Sequence, residues 1–349
     1  MSGSTNWKRR AADLIEQLAA VRAKLKASRS RQAALAARLH RYERLALDPA
    51  VLEQLLPARA EAMQRRAIDH ATKAREAMHA AASPAYEAAI ADGLRVPDGT
   101  EHVCVAGVNL WVPVDRRLPG RLADHLLTRR QLPLATILQT REAVGGGVML
   151  DIGANVGTTS LPRAVLGDYA AIWAAEPDPS NFACLVRGVV RNGLRGVVLP
   201  DHCAISNRNG VGRLQLSRSI GGHRLTDDAG GMEVPTWTLE TWVRRLHIEL
   251  ELLRFVKVDT QGHEVHVLEG AGGLLERRGV VWQLEVSPKH LTLAGRSLRD
   301  LIAKLQTFSA FVDLYGDAPG ARVRPMTELP EALGYLEGGS FTDILVYRA

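Results

Sequence analysis

The apolar run Val148-Met149-Leu150 ends in Asp151 and passes through Ile152 into Gly153-Ala154-Asn155-Val156-Gly157, just ahead of a helix beginning near Thr158. Glycines in such a turn let the backbone approach a ligand closely. The spacing is G-x-N-x-G, whereas a dinucleotide fingerprint reads G-x-G-x-x-G, and the acid lies inside the strand's end, so a dehydrogenase is disfavoured. The arrangement suits a cofactor with an amino acid and a nucleoside but no phosphate. Asp151 would then sit near the ammonium group while the turn of Gly153, Asn155 and Gly157 passes the ribose. A second carboxylate, Glu176, opens Glu176-Pro177-Asp178-Pro179 at the end of the next strand. About 20 residues beyond the glycine turn, it is placed to accept hydrogen bonds from ribose hydroxyls.

A later strand, Phe255 to Val258, runs into Asp259-Thr260-Gln261-Gly262-His263-Glu264. Ligands bind at strand carboxyl ends in open α/β sheets, and Gly262 permits a turn that aims its neighbours into a cleft. Taking a proton from a poor nucleophile calls for a histidine or carboxylate within hydrogen-bond reach. Asp259 is the first choice beside the reacting group, its structural alternative being to cap helix-start amides. His263 is the candidate base, with a rate that would rise through a pKa of about 6.5. Glu264 divides between catalysis and capping the turn. Glu285 and His290 flank the next strand's end. The spacing of Asp259, Glu264 and Glu285 does not demand a divalent cation, so no metal is assigned.

These residues need a sheet to hold them. Short apolar runs separated by helical stretches give the βαβ rhythm of a mostly parallel sheet. Strands are expected at 148–152, 171–175, 197–199, 255–258, 280–286, 311–315 and 343–347, seven in all. Gly221-Gly222-His223 and Gly230-Gly231 mark an insertion between the third and fourth strands, of the kind that chooses a substrate. Upstream, residues 103–105 and 108–112 alternate around Ala106-Gly107 as a hairpin. A helix at 122–143 then leads to Gly145-Gly146-Gly147.

The first 82 residues read differently. Leu14, Leu18, Val21, Leu25, Ser28, Gln32, Leu35 and Leu39 alternate spacings of four and three, a heptad seam that predicts a coiled-coil arm and a homo-oligomer. Residues 1–80 hold 16 Lys/Arg against 8 Asp/Glu, leaving 28 against 30 elsewhere, so the net charge of +6 belongs to the arm. It could meet an acidic partner or an anionic membrane surface. Aromatic content is 5%, with no basic patch interleaved with aromatics in the catalytic domain, which disfavours a nucleic-acid partner. Three widely spaced cysteines fit a reducing, cytoplasmic setting, and no run reaches the roughly 18 apolar residues of a membrane span.

Taken in order, Asp151 to Gly157, Glu176-Pro177-Asp178-Pro179 with Asn181-Phe182, Ala204-Ile205-Ser206, Val256 to Glu264, Leu268-Glu269-Gly270-Ala271 and Glu285-Val286-Ser287-Pro288 resemble the FkbM-type methyltransferase family. The resemblance covers residues 148–349 and implies S-adenosylmethionine as cofactor. It implies that Asp151 to Gly157 line the methionine part and ribose, Glu176 the ribose hydroxyls, and Cys203 and Ala204 the adenine edge. Members commonly carry an acid where this chain has Gln261. Members typically methylate hydroxyl oxygens, so the acceptor is expected to be a small molecule or glycan: a sugar, glycolipid or secondary metabolite. The alternatives are an RNA or protein methyltransferase, and a coiled-coil scaffold with a non-catalytic cofactor-binding domain. The fold expected is α/β, a seven-stranded doubly wound Rossmann-like sheet behind an N-terminal helical arm. Its parts are the arm at 1–82, a connector with hairpin and helix at 83–143, and the methyltransferase domain at 144–349.

Overall fold

The computed structural model describes residues 100–105, 108–113, 146–216, 223–226, 230–316, 322–338 and 340–348. The arm, the 122–143 helix and the domain boundaries expected at 82/83 and 143/144 fall outside the described residues.

The centre of the fold is built from strands buried on both sides. β3 (Val148–Ile152) and β4 (Ala171–Ala175) are buried at every position, as expected of parallel strands covered by layers on two faces. With β5 (Val198–Asp201), β10 (Leu253–Val258), β11 (Val281–Val286), β12 (Ala310–Asp313) and β14 (Thr342–Tyr347), they account for the seven expected strands. Among the described residues the sheet nevertheless has eight. β13 (Arg324–Pro325) pairs two residues against the outer side of β12, and a polar pair that short leaves no mark in a hydrophobic pattern. The order is β13-β12-β14-β11-β10-β3-β4-β5, with β14 antiparallel between β11 and β12. The chain runs outward from β3 to β5 and then returns to β10 on β3's other side, so the order reverses between β3 and β10. A crevice is expected outside the strand carboxyl ends at such a point.

The two faces differ. Val148, Leu150, Ile152, Val256, Val258, Trp282, Leu284, Ile344 and Val346 point into one apolar layer with Trp173 and Trp242. The opposite face begins apolar, with Met149, Phe255, Val281, Leu345 and Tyr347. Toward the strand carboxyl ends of the central strands that face turns polar: Asp151, Lys257 and Gln283 occupy one register row, and Asp259, Glu285 and Asp343 follow it.

Hairpin β1 (Thr100–Val105) and β2 (Val108–Pro113) pairs antiparallel with Val105 opposite Val108. Val108 and Leu110 join the second apolar layer beside Leu161 of α1 (Ser160–Val165) and Leu185 of α2 (Pro179–Arg191). Asn192, which caps the end of α2, clamps the contact. Its Oδ1 accepts from the Asn109 backbone at 2.9 Å, and its Nδ2 donates to the Asn109 carbonyl at 2.7 Å.

The insertion after β5 is a second sheet. β6 (Ala204–Ser206), β9 (Met232–Thr238), β7 (Gly210–Gln215) and β8 (Arg224–Thr226) lie in the order β6-β9-β7-β8. Gly221 and Gly222 fall outside the described residues.

Candidate active site

A cavity of about 500 Å³ opens over the carboxyl ends of β3, β4, β10 and β11, where the strand order predicts one. At one end it is bounded by Gly153, Asn155, Glu176 and the Cys203–Ile205 segment. At the other stand Lys257, Asp259, Glu285, Asp343, Tyr315 and Phe341.

Glu176 is held by its own loop. Its Oε2 accepts from the Asn155 amide at 2.7 Å and its Oε1 from the Asp178 amide at 2.9 Å. Burial pushes its pKa up to about 7 against the pull of those two amides. Asp178 also caps α2 by accepting from the Asn181 amide at 2.8 Å, with Pro179 at the first helical position. Asn155 makes the turn at φ +54°, a conformation its short polar side chain tolerates, and its Oδ1 accepts from the Val156 amide.

Three of the residues expected around the cofactor stand in different relations to the cavity. Asp151 is fully buried beneath the cavity floor and does not line it; its Oδ2 accepts from Ser160 Oγ at 2.5 Å and its Oδ1 lies 3.6 Å from Lys257 Nζ. As the middle residue of a buried strand row, it anchors the floor. Gly157, at φ +90°, packs against Leu161 and Leu185 away from the cavity. Gly153, at φ +78°, does line the cavity, but an added Cβ would strike the Asp259 carbonyl oxygen. The glycine is therefore required by the close passage of β3's exit past β10's.

The loop after β10 is built on Glu264. That side chain is buried, outside the cavity lining, and its Oε1 accepts from the Thr260 amide at 2.8 Å, Thr260 Oγ1 at 3.1 Å and the Gly262 amide at 3.2 Å. Burial raises its pKa to about 7. Glu264 thus shapes the turn and leads α3 (Glu264–Glu269). His263 lines the cavity, yet it stacks on His266 with centroids 4.1 Å apart and shares a 2.8 Å hydrogen bond with Ser206 Oγ. Burial, then His266 and two nearby arginines, lower its pKa to about 3. A titration near 6.5 is therefore not expected of it.

Asp259 faces the cavity, with Oδ2 3.1 Å from Lys257 Nζ and Oδ1 accepting from Gln261 Nε2 at 3.1 Å. Gln261, at φ +55°, also donates to Glu285 Oε2 at 3.3 Å. The amide takes the place of a familial acid and bridges two carboxylates where another carboxylate would repel both. Lys257 is the residue that sequence reading passed over. Burial opposes its charge, yet Asp259 and Asp151 together raise its pKa. Its signal was a lysine inside an apolar strand two places before Asp259, since residues i and i+2 share a face.

Cys203 and Ala204 are buried at the cavity wall, and burial raises the Cys203 thiol well above its usual range. All three cysteines are free. The insertion contributes His223, Arg224 and Leu225 to the lining, beside the Glu176 end. No group of metal-ligating side chains occurs among the described residues. The residues present fit S-adenosylmethionine. Glu176 and the Cys203–Ile205 wall suit its adenosine, and the buried Thr159 Oγ1, which lines the cavity without a hydrogen-bond partner, awaits a polar ligand group.

Residues 151–311 match the family model described as the methyltransferase FkbM domain. The hexuronic acid methyltransferase AglP of Haloferax volcanii is 29% identical over 182 residues, which cover 50% of this chain and 73% of that protein. Two solved structures are more distant: TYW2 of Pyrococcus horikoshii in complex with MeSAdo is 13% identical, covering 73% of this chain and 74% of its own at a TM-score of 0.38. The methyltransferase FkbM of Methylobacillus flagellatus KT is 13% identical, covering 76% and 58% at a TM-score of 0.33.

Proposed function

We propose that this chain, whose residues 151–311 match the methyltransferase FkbM domain, is an S-adenosylmethionine-dependent enzyme that O-methylates a hydroxyl on a sugar, glycolipid or secondary metabolite. The observation that carries the reading is the far end of the cavity. Asp259, Glu285 and Asp343 offer acceptors to hydroxyl groups there. Tyr315 and Phe341, 39% and 53% exposed, meet edge to face at 6.2 Å on its rim. Carboxylates binding hydroxyls beside exposed aromatic faces are the chemistry of a polyhydroxylated ring with apolar C–H surfaces. The 29% identity with a hexuronic acid methyltransferase points the same way.

S-adenosylmethionine, when bound, supplies an electrophilic methyl group on a sulfonium. Glu176 would hold the ribose hydroxyls, Asn155 and Gly153 the turn beneath it, and Cys203 and Ala204 the adenine edge. Asp259, steadied by Lys257 and Gln261, would orient the acceptor. The test is incubation with methyl-labelled cofactor and a panel of glycosides, uronic acids, RNA and protein. Label in a sugar hydroxyl is the expected result; label in RNA or protein with none in any sugar would overturn it. The reading extends to a cytoplasmic enzyme that oligomerises through its arm, on the strength of the cysteine usage and the heptad seam. Among the described residues no helix is long and apolar enough to cross a membrane.

A further inference from the structure

We propose that Asp343 is the general base of the methyl transfer, taking the proton from the acceptor hydroxyl. The proposal rests on the O-methylation reading above. β14 runs antiparallel to β11 and sets Asp343 opposite Glu285, while Glu285 lies one residue beyond the pairing of Leu284 with Val258. Asp259, Glu285 and Asp343 are thus side by side at the ends of three adjacent strands, and all three line the cavity.

Their surroundings separate their roles. Both oxygens of Asp259 are engaged, by Lys257 and by Gln261. Glu285 Oε2 accepts from Gln261 and lies 3.4 Å from His290 Nδ1. Its burial, then the charges of Asp259, Glu264 and Asp343, hold its pKa well above the usual range. Asp343 accepts from Gln283 Nε2 at 2.8 Å and from the Tyr315 hydroxyl at 3.4 Å, and both bonds go to Oδ2. Its Oδ1 makes no hydrogen bond with the described residues.

The groups facing Asp343 are Asp259 and Lys257 from β10, Gln283 and Glu285 from β11, and Tyr315 just beyond β12. Burial pushes its pKa up to about 7 and Asp259 adds to this, while Lys257, Gln283 and Tyr315 oppose it. A base with a pKa near the working pH combines availability with driving force. His263 lacks that balance, since an imidazole lowered to about 3 is a weak base.

In the step itself the acceptor O–H bond breaks and its proton passes to Asp343 Oδ1. The electron pair left on oxygen forms the new bond to the methyl carbon. The pair of the broken carbon–sulfur bond stays on sulfur, which cancels the sulfonium charge, and Asp343 later releases its proton to water.

Two measurements test this. Carboxyl infrared titration of the cofactor-free protein, unaltered minus D343N, should show a carboxyl titrating near pH 7 that the variant lacks. With a sugar that the unaltered protein methylates, kcat should rise through the same pH. D343N should lose the limb and about 100- to 10,000-fold in kcat with cofactor Kd unchanged, and D343E should restore the limb. A D343N enzyme that keeps both rate and pH limb overturns the proposal, as does a rate lost with H263A and retained with D343N. If the unaltered protein methylates no sugar, the acceptor reading fails instead. The infrared titration then still decides this proposal, since a difference spectrum with no carboxyl near pH 7 rules Asp343 out.

Discussion

Glu176 and Glu264 are both buried carboxyls that accept backbone amides, and burial places both pKa values near 7. In the unfolded chain each returns to about 4.5. Between these values the folded state binds more protons, so stability falls as pH rises. The contribution is full below the unfolded value and lost above about 7. The cofactor-free protein should therefore melt at a lower temperature at pH 8 than at pH 5, and Glu264→Gln should flatten that dependence. A Tm that climbs between pH 5 and 8 would contradict it. Glu176→Ala removes an acceptor for two ribose hydroxyls and should weaken cofactor binding by about 1.5–3 kcal/mol in calorimetry. Gly153 makes a sharper demand on the backbone. Gly153→Ala adds a collision with the Asp259 carbonyl to a left-handed φ, whereas Gly167→Ala, at φ +70° with nothing within 4 Å, adds the conformational cost alone. That cost is about 1–2 kcal/mol. Chemical denaturation should show a clearly larger loss for Gly153→Ala than for Gly167→Ala.

Among the elements, the β1–β2 hairpin does more than connect. Its apolar side, through Val108 and Leu110, closes the layer that covers Met149, Phe255 and Leu185. Asn192 secures it with two bonds to the Asn109 main chain, a bond from Asn109 Nδ2 at 3.2 Å and another to the Gly188 carbonyl at 2.7 Å. Leaving such groups unpaired costs about 1–3 kcal/mol each. Asn192→Ala should lower the denaturation midpoint and raise hydrogen exchange in β2 before the central strands exchange. The alternation around Ala106-Gly107 identified the hairpin as a local unit. Where it docks was not legible, because α2 lies more than sixty residues downstream. The insertion was legible only as a loop, since β9 finds its partners β6 and β7 across the length of the insertion.

At the scale of the whole molecule, the heptad seam separates a basic arm from a domain whose cofactor motifs all lie beyond residue 147. The full chain should sediment as an oligomer at micromolar concentration, and a chain beginning at Pro84 should bind the cofactor with unchanged affinity. A monomeric full-length mass would sink the coiled coil, and lost binding would move the domain boundary. The strands and the cofactor end were within reach of the sequence, because apolar runs, glycine turns and strand-end acids are local patterns. Asp151 and Glu176 look alike in that pattern, each an acid near a strand's end, yet the first lies under the floor and the second on the wall. That difference depends on which neighbour each strand meets. The polar row at the strand ends shows the same limit. Asp259 stood out beside Gly262, but Lys257 and Glu285 meet through the parallel pairing of β10 with β11, and Asp343 joins them only because β14 inserts antiparallel beside β11, bringing its first residues to the edge where the parallel strands end. Sequence alone determined the α/β fold class through short-range periodicity, and the resemblance of its motifs implied the cofactor; register across the sheet, a property of strands distant in the chain, decided which charges share the site.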